Sequence, residues 1–245
     1  MTTRLDFVIT PQPDDTACGP TCLHAIYRYH HDSIPLDRVI REVRQVKGGG
    51  TLTVFLGLHA LSRGYQATIY TCDLQTFDPS WFENNDVAFM RRRLLAQRHA
   101  RRSSKIRLVT EAYLEFLEFG GEVRMQDITV PLISRILRED SPIISGLSAT
   151  WLYRCKRERS EDMEPDDVAG EPVGHFVVIH GIDAQTRRAN VADPNLHTPY
   201  PASHHYEVGV DRLVGAIHLG IVTFDAKLLV VRPPAKREGR KPCRS

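Results

Sequence analysis

The chain has 245 residues, 42% hydrophobic, 25% charged and 8% aromatic, which suits one well-cored domain or two small ones and excludes collagen-like and disordered classes. No apolar run approaches the ~18 residues of a membrane helix, and Met1 to Asp6 lacks the apolar core of a secretory signal, so a cytoplasmic protein is expected. The net charge of +2 comes from the end: five basic residues (Lys236, Arg237, Arg240, Lys241, Arg244) against Glu238 give residues 236–245 a charge of +4 and leave −2 for the rest. That tail follows Pro233 and Pro234 and has no large apolar residue, so it reads as solvated and disordered rather than as a grip on nucleic acid.

In chain order, Leu5 to Ile9 alternates as a strand, and residues 11–15 form a loop by composition. A helix is expected from Cys18, with Pro20 in its first turn and Leu23, Ile26, Tyr27 and His30 on one face. Helices at about Leu36–Val46 and Thr53–Arg63 follow, the first ended by Gly48-Gly49-Gly50 and the second by Gly64. Tyr65 to Thr71 reads as a strand. Asp78 to Phe119 reads as two helices broken near Ser103-Ser104 and closed by Gly120-Gly121. Within it Arg91, Arg92, Arg93, Arg98, Arg101, Arg102, Lys105 and Arg107 occur with no acid between them, which marks the outer face of an amphipathic helix. No aromatic residue lies between them for base stacking, so a nucleic-acid partner is disfavoured.

A helix near Leu132 to Arg138 precedes a buried strand over 141–148, and the charged stretch 154–171 reads as an exposed loop. Strands are expected over 174–183 and 188–193, joined by a turn, then a short helix near 211–219 and a last strand over 224–231. Helices come first and strands cluster late, which argues for an α+β domain with an antiparallel sheet. No linker divides the chain before Pro233. One domain over 1–234 is therefore expected, with a helical insertion at about 78–120, the charged loop 154–171 and the tail 235–245.

Five scattered cysteines (Cys18, Cys22, Cys72, Cys155, Cys243) argue for reduced thiols rather than a disulfide framework. Cys18 opens a helix, where unpaired backbone N–H groups and the macrodipole favour a thiolate and can face an oxyanion; the Gln12 amide could return as a second donor. A thiolate needs a proton-handling partner, and His175 at the entry of a buried strand, behind Gly174, is the best placed of eleven histidines. Asp193 ends the neighbouring strand of the expected hairpin and so can orient the imidazole. Cys22 packs one turn below Cys18 or could trap it oxidatively. With His24, His30 or His31 the two cysteines could make half of a zinc site, but no second pair exists, so neither metal nor cofactor is expected. His204-His205 read as a solvent-facing loop. Gly48-Gly49-Gly50-Thr51 lacks the Lys and spacing of a phosphate loop.

Taken together, Gln12, the Cys18-Gly19-Pro20-Thr21 helix start, Gly174-His175-Phe176-Val177-Val178 and Asp193-Pro194 resemble the papain-like cysteine peptidases of family 39, which include the double-glycine-leader peptidases of bacteriocin exporters and stand-alone bacterial relatives. The resemblance implies a papain-like fold, with helices carrying the nucleophile packed on a C-terminal antiparallel sheet. It implies Cys18 as nucleophile, His175 as base and acid, Asp193 as orienter and Gln12 as oxyanion donor. A thiol hydrolase of a peptide or amide bond is expected, with an exporter or an amide ligase as a gene-neighbour partner. The same thioester chemistry would also serve an acyltransferase or peptide-maturation enzyme, and a non-catalytic peptide-binding module is the reading from a different class.

Overall fold

The computed structural model describes residues 2–47, 49–84, 86–197, 199–200 and 204–234; the tail expected at 235–245, including Cys243, lies outside the described residues. The first half is mainly helical: β1 (Thr2–Arg4), α1 (Cys18–Tyr29), α2 (Leu36–Glu42), α3 (Thr53–Ser62), β2 (Gln66–Thr71), α4 (Val87–Ala100) and α5 (Ser104–Glu118). The second half supplies β3 (Glu122–Met125), α6 (Val130–Arg138), β4 (Ile143–Ser148), α7 (Ala149–Tyr153), β5 (Gly174–Asp183), β6 (Arg188–Ala192), β7 (His205–Gly209), α8 (Val210–Leu219) and β8 (Lys227–Arg232).

The eight strands of the described residues join one sheet in the order β3-β2-β8-β4-β5-β6-β7, with β1 added to β5 past the end of β4. Every pairing is antiparallel except β2 with β3. A parallel pair needs a crossover rather than a hairpin, and α4 and α5 are that crossover. The two helices expected in 78–120 therefore belong to the sheet's connectivity.

Successive strand residues face opposite sides of a sheet. Ile144, Phe176, Val178, Leu229 and Val231 join the core built with α1 to α5, whereas Ile143, Val177, Ile179, Leu228 and Val230 join the core built with α6 and α8. Helices thus cover both faces, not one. The unbroken apolar run Phe176 to Ile179 follows from this, since a strand buried on both sides has no solvent face to alternate with.

The expected elements differ from the observed ones where packing overrides local pattern. Leu5 to Ile9 is not a strand: the ladder to β5 ends as Leu5 N donates to His180 O, and the segment leaves the sheet while Phe7 and Ile9 still bury their side chains. Alternating burial here reports an extended packed segment without a partner strand. The second helix stops at Glu42 because Val43 is extended. The last strand starts only at Lys227, after Phe224 takes a left-handed conformation (φ 69°) and Asp225 forms a tight turn onto Gly220 O. His204-His205 is not a solvent loop. His205 opens β7 on the edge of the sheet, half-buried with its Nδ1 3.4 Å from His180 Nε2.

α4 is capped by Asp86, whose Oδ1 accepts from Ala88 N and Phe89 N, and it buries only Met90 and Leu94. α5 is capped by Ser103 and buries a full face through Ile106, Val109, Tyr113 and Phe116. The break between them at 101–103 leaves the basic residues on an outer corner. No helix among the described residues is long and apolar enough to cross a membrane.

Candidate active site

Cys18 is the first residue of α1. Ala17 at the helix N-cap contributes no side-chain bond, so the Cys18 and Gly19 N–H groups lack an intrahelical partner and Pro20 has none to offer. The Cys18 side chain is half-buried. Gly19 lets this end of the helix press on its surroundings: a Cβ there would lie 2.6 Å from Thr51 Cγ2 and 3.2 Å from the Phe176 ring. Thr51 is held in turn by its hydroxyl donating to Arg44 O at 2.7 Å. The loop before it uses left-handed glycines, Gly49 (φ 96°) and Gly50 (φ 74°), while Gly48 lies outside the described residues.

Across from this helix end, β5 and β6 pair antiparallel with Val178 opposite Ala192. That register carries His175 and Asp193 to one rim. His175 Nε2 donates to Asp193 Oδ1 at 2.9 Å, and the Cys18 side chain lies within electrostatic reach of the imidazole. His175 is 6% exposed and Asp193 is 0% exposed, so the pair sits away from screening water. Burial opposes the charged imidazole, yet the Asp193 carboxylate, its hydrogen bond and Cys18 together lift His175 to about 10. Burial likewise pushes the Asp193 carboxyl up, but His175 and the hydrogen bonds around it hold it below its ordinary value.

Those hydrogen bonds come from residues that the sequence reading did not single out. Tyr153 Oη and Tyr206 Oη each donate to Asp193 Oδ2 at 2.7 Å, and Asn195 N donates to Oδ1 at 3.0 Å. With His175 this gives the carboxylate four donors, two per oxygen, which is about its full capacity. The Tyr200 ring stacks on Tyr206 with centroids 4.0 Å apart. Tyr206 had a signal, since Tyr206 and Val208 alternate inward in His-Tyr-Glu-Val-Gly. Tyr153 ends a helix of only five residues and had none. Both phenols are driven up, first by burial and then by the Asp193 charge, so they remain donors. Tyr206→Phe should lower stability by about 1.5–3 kcal/mol, the usual range for a hydrogen bond to a charged group, read as a lower denaturant midpoint at unchanged slope. A shift below about 0.5 kcal/mol would mean that Tyr153 alone satisfies Asp193 Oδ2.

Gln12 is buried at 5% exposure, and its backbone N–H donates to Pro194 O at 2.9 Å, which ties it to the Asp193-Pro194 step. Its side-chain Nε2 donates to Asp14 O at 2.9 Å, leaving a second amide hydrogen, while Oε1 is buried without a partner. Asp14 Oδ1 accepts from Thr16 N and Thr16 Oγ1, so the loop that returns Gln12 to the helix start is internally braced. His175 and Asp193 are thus hydrogen-bonded beside Cys18, and Gln12 joins them through the backbone next to Asp193.

Cys22 is fully buried one turn below Cys18, and its Sγ donates to Phe176 O at 3.4 Å. Burial, then the neighbouring Cys18 and Asp193, push its thiol well up, which makes it a packing residue rather than a nucleophile. Asp225 lies at the foot of the same rim. A Cβ on Gly174 would collide with its carboxyl, so glycine before His175 makes room for an acid. Burial lifts the Asp225 carboxyl to about 6.

No protein-family model matches the sequence, and no curated protein does. Among solved structures, the chain is similar to a protein assigned as a C39-like peptidase from Bacillus anthracis, with a TM-score of 0.54 and 12% identity over 96% of this chain and 100% of that one. It is also similar to the peptidase domain of Streptococcus ComA, a bifunctional ABC transporter of a quorum-sensing pathway, with a TM-score of 0.45 and 12% identity over 93% of this chain and 98% of that one. Xylellain, a cysteine protease from Xylella fastidiosa, is similar with a TM-score of 0.43 and 13% identity over 95% and 85%. The α+β architecture, with the helix that opens at Cys18 laid against a largely antiparallel sheet, is a fold shared with that C39-like peptidase.

Proposed function

We propose that the protein is a thiol hydrolase that cleaves a peptide or amide bond, with Cys18 as nucleophile, His175 as acid and base, Asp193 as orienter and Gln12 as an oxyanion donor. The observation that carries this reading is the hydrogen-bonded His175–Asp193 pair within electrostatic reach of Cys18, which opens a helix with unpaired N–H groups. Sγ of Cys18 attacks the carbonyl carbon, and the oxyanion faces the Cys18 N–H and the second hydrogen of Gln12 Nε2. His175, protonated through neutral pH, gives its Nδ1 proton to the leaving amine. The neutral imidazole then takes a proton from water, whose oxygen opens the thioester and releases the acid. Asp193 keeps Nε2 protonated throughout, so that Nδ1 is the nitrogen that exchanges.

Mass spectrometry after a low dose of iodoacetamide tests the nucleophile. Cys18 should be alkylated ahead of Cys72 and Cys155, whose thiols are raised by burial. Preferential labelling of Cys155, the exposed cysteine among the described residues, would remove the basis for the proposal.

A further inference from the structure

The basic residues of 91–107 are unevenly neutralised. On the first turns of α4, Arg91 approaches Glu118, Arg92 approaches Asp86, and Arg93 lies over the Phe89 ring. Beyond them, Arg98, Arg101, Arg102, Lys105 and Arg107 have no ion-pair partner among the described residues, and all but the half-buried Arg98 are exposed. Arg107 Nε donates to Arg98 O at 3.4 Å, which gathers these residues on one corner where α4 passes to α5. Such a cluster repels itself and is held only by the fold beneath it.

The fold sets this corner beside the candidate active site. Lys105 Nζ lies 4.1 Å from the centroid of the Phe224 ring. The next residue, Asp225, has its carboxyl against Gly174 and within electrostatic reach of both Lys105 and His175. Lys105, Phe224, Asp225 and Gly174 therefore form a continuous wall that ends at His175. The Asp225 carboxyl is buried and interacts with Lys105, while Arg101 and Arg102 have no ion-pair partner among the described residues.

Resting on the function proposed above, we infer that this corner, centred on Arg101, Arg102 and Lys105, is the docking surface for an acidic segment of the substrate polypeptide flanking the bond that is cleaved. An extended acidic segment meets complementary charge there over a distance where attraction still acts, and steering of this kind raises capture most at low salt. A nucleic-acid strand fits the corner less well. Among the described residues, Phe89 and Phe224 each carry a cation on a face, which disfavours them as platforms for base stacking.

Two measurements on the full chain test this. The first is anisotropy of fluorescein-labelled hexaglutamate, which does not depend on Cys18 chemistry. The peptide should bind at about 20 mM salt and weaken at about 300 mM, and R101E/R102E/K105E should weaken it at least about tenfold. The neutral set R101Q/R102Q/K105Q should fall between, which guards against misfolding of the reversed variant. The second compares a triglutamyl chloroacetamide with its trilysyl counterpart as labels of Cys18. The acidic label should react about tenfold faster, and the ratio should collapse in R101E/R102E/K105E. Hexaglutamate affinity unchanged within about twofold by charge reversal, or an oligothymidylate of equal charge bound more than about tenfold tighter, overturns the inference. Failure of plain iodoacetamide to select Cys18 would instead strike the proposed function and leave the anisotropy result standing.

Discussion

Asp193→Ala is expected to destabilise the protein by about 3–5 kcal/mol, the cost of removing one partner from a buried ion pair, and to reduce turnover to a residual level. The change strands three side-chain donors at once, Tyr153 Oη, Tyr206 Oη and His175 Nε2, in a place that water does not reach. The isosteric Asp193→Asn should not rescue it. Both carboxylate oxygens accept two donors, so the new amide NH2 would face either the two phenols or the imidazole and Asn195 N. Chemical denaturation of both variants, with alkylation kinetics on whatever remains folded, checks this; a loss under about 1 kcal/mol for Asp193→Ala would show that the tyrosines find other partners. The pH dependence has a definite sign. The Asp193 value is depressed on folding, so its contribution is present above the ordinary carboxylate range and is lost as pH falls through the lowered folded value.

His175→Ala is expected to lower turnover about 10²- to 10⁴-fold, the usual share of general acid–base catalysis, and to slow alkylation of Cys18. In the wild type the imidazolium is stabilised to about 10, against about 6.5 for a free histidine. Activity that needs a protonated His175 should therefore persist through neutral pH and fall on a limb near 10. The stability contributed by this group is fully present below about 6.5 and is lost as pH rises through about 10. A limb of the kcat/KM profile near 6.5 would mean that Asp193 does not hold the imidazolium in the free protein.

Much of this site is legible locally. A helix that opens with Cys-Gly-Pro, a glycine before a histidine at the mouth of an apolar run, and an aspartate before a proline at the end of the next strand are each readable within a few residues. What surrounds Asp193 is not. Tyr153 comes from the end of α7, Tyr206 from edge strand β7 and His204, whose Nδ1 donates to Asp193 O at 2.9 Å, from the loop before it. These residues meet because β6 lies between β5 and β7 and α7 follows the adjacent β4, a matter of strand order that no local window contains. The same limit explains Leu5 to Ile9, whose alternation gives burial but not the presence of a partner strand.

By itself the sequence determines what short-range sterics and periodicity can carry: the α+β order, the starts of α1, α2 and α3, the break near Ser103-Ser104 and the identity of the polar residues poised at element ends. Tertiary structure decides what depends on which strands become neighbours. That covers the second helical layer behind the sheet, the parallel β2–β3 pair, the four-donor cage around Asp193 and the placing of the basic corner beside His175. The physical reason is range. Propensity and capping act over a few residues, whereas the 2.9 Å contact from His175 to Asp193 and the contact from Lys105 to Phe224 form only after the whole sheet has set its register.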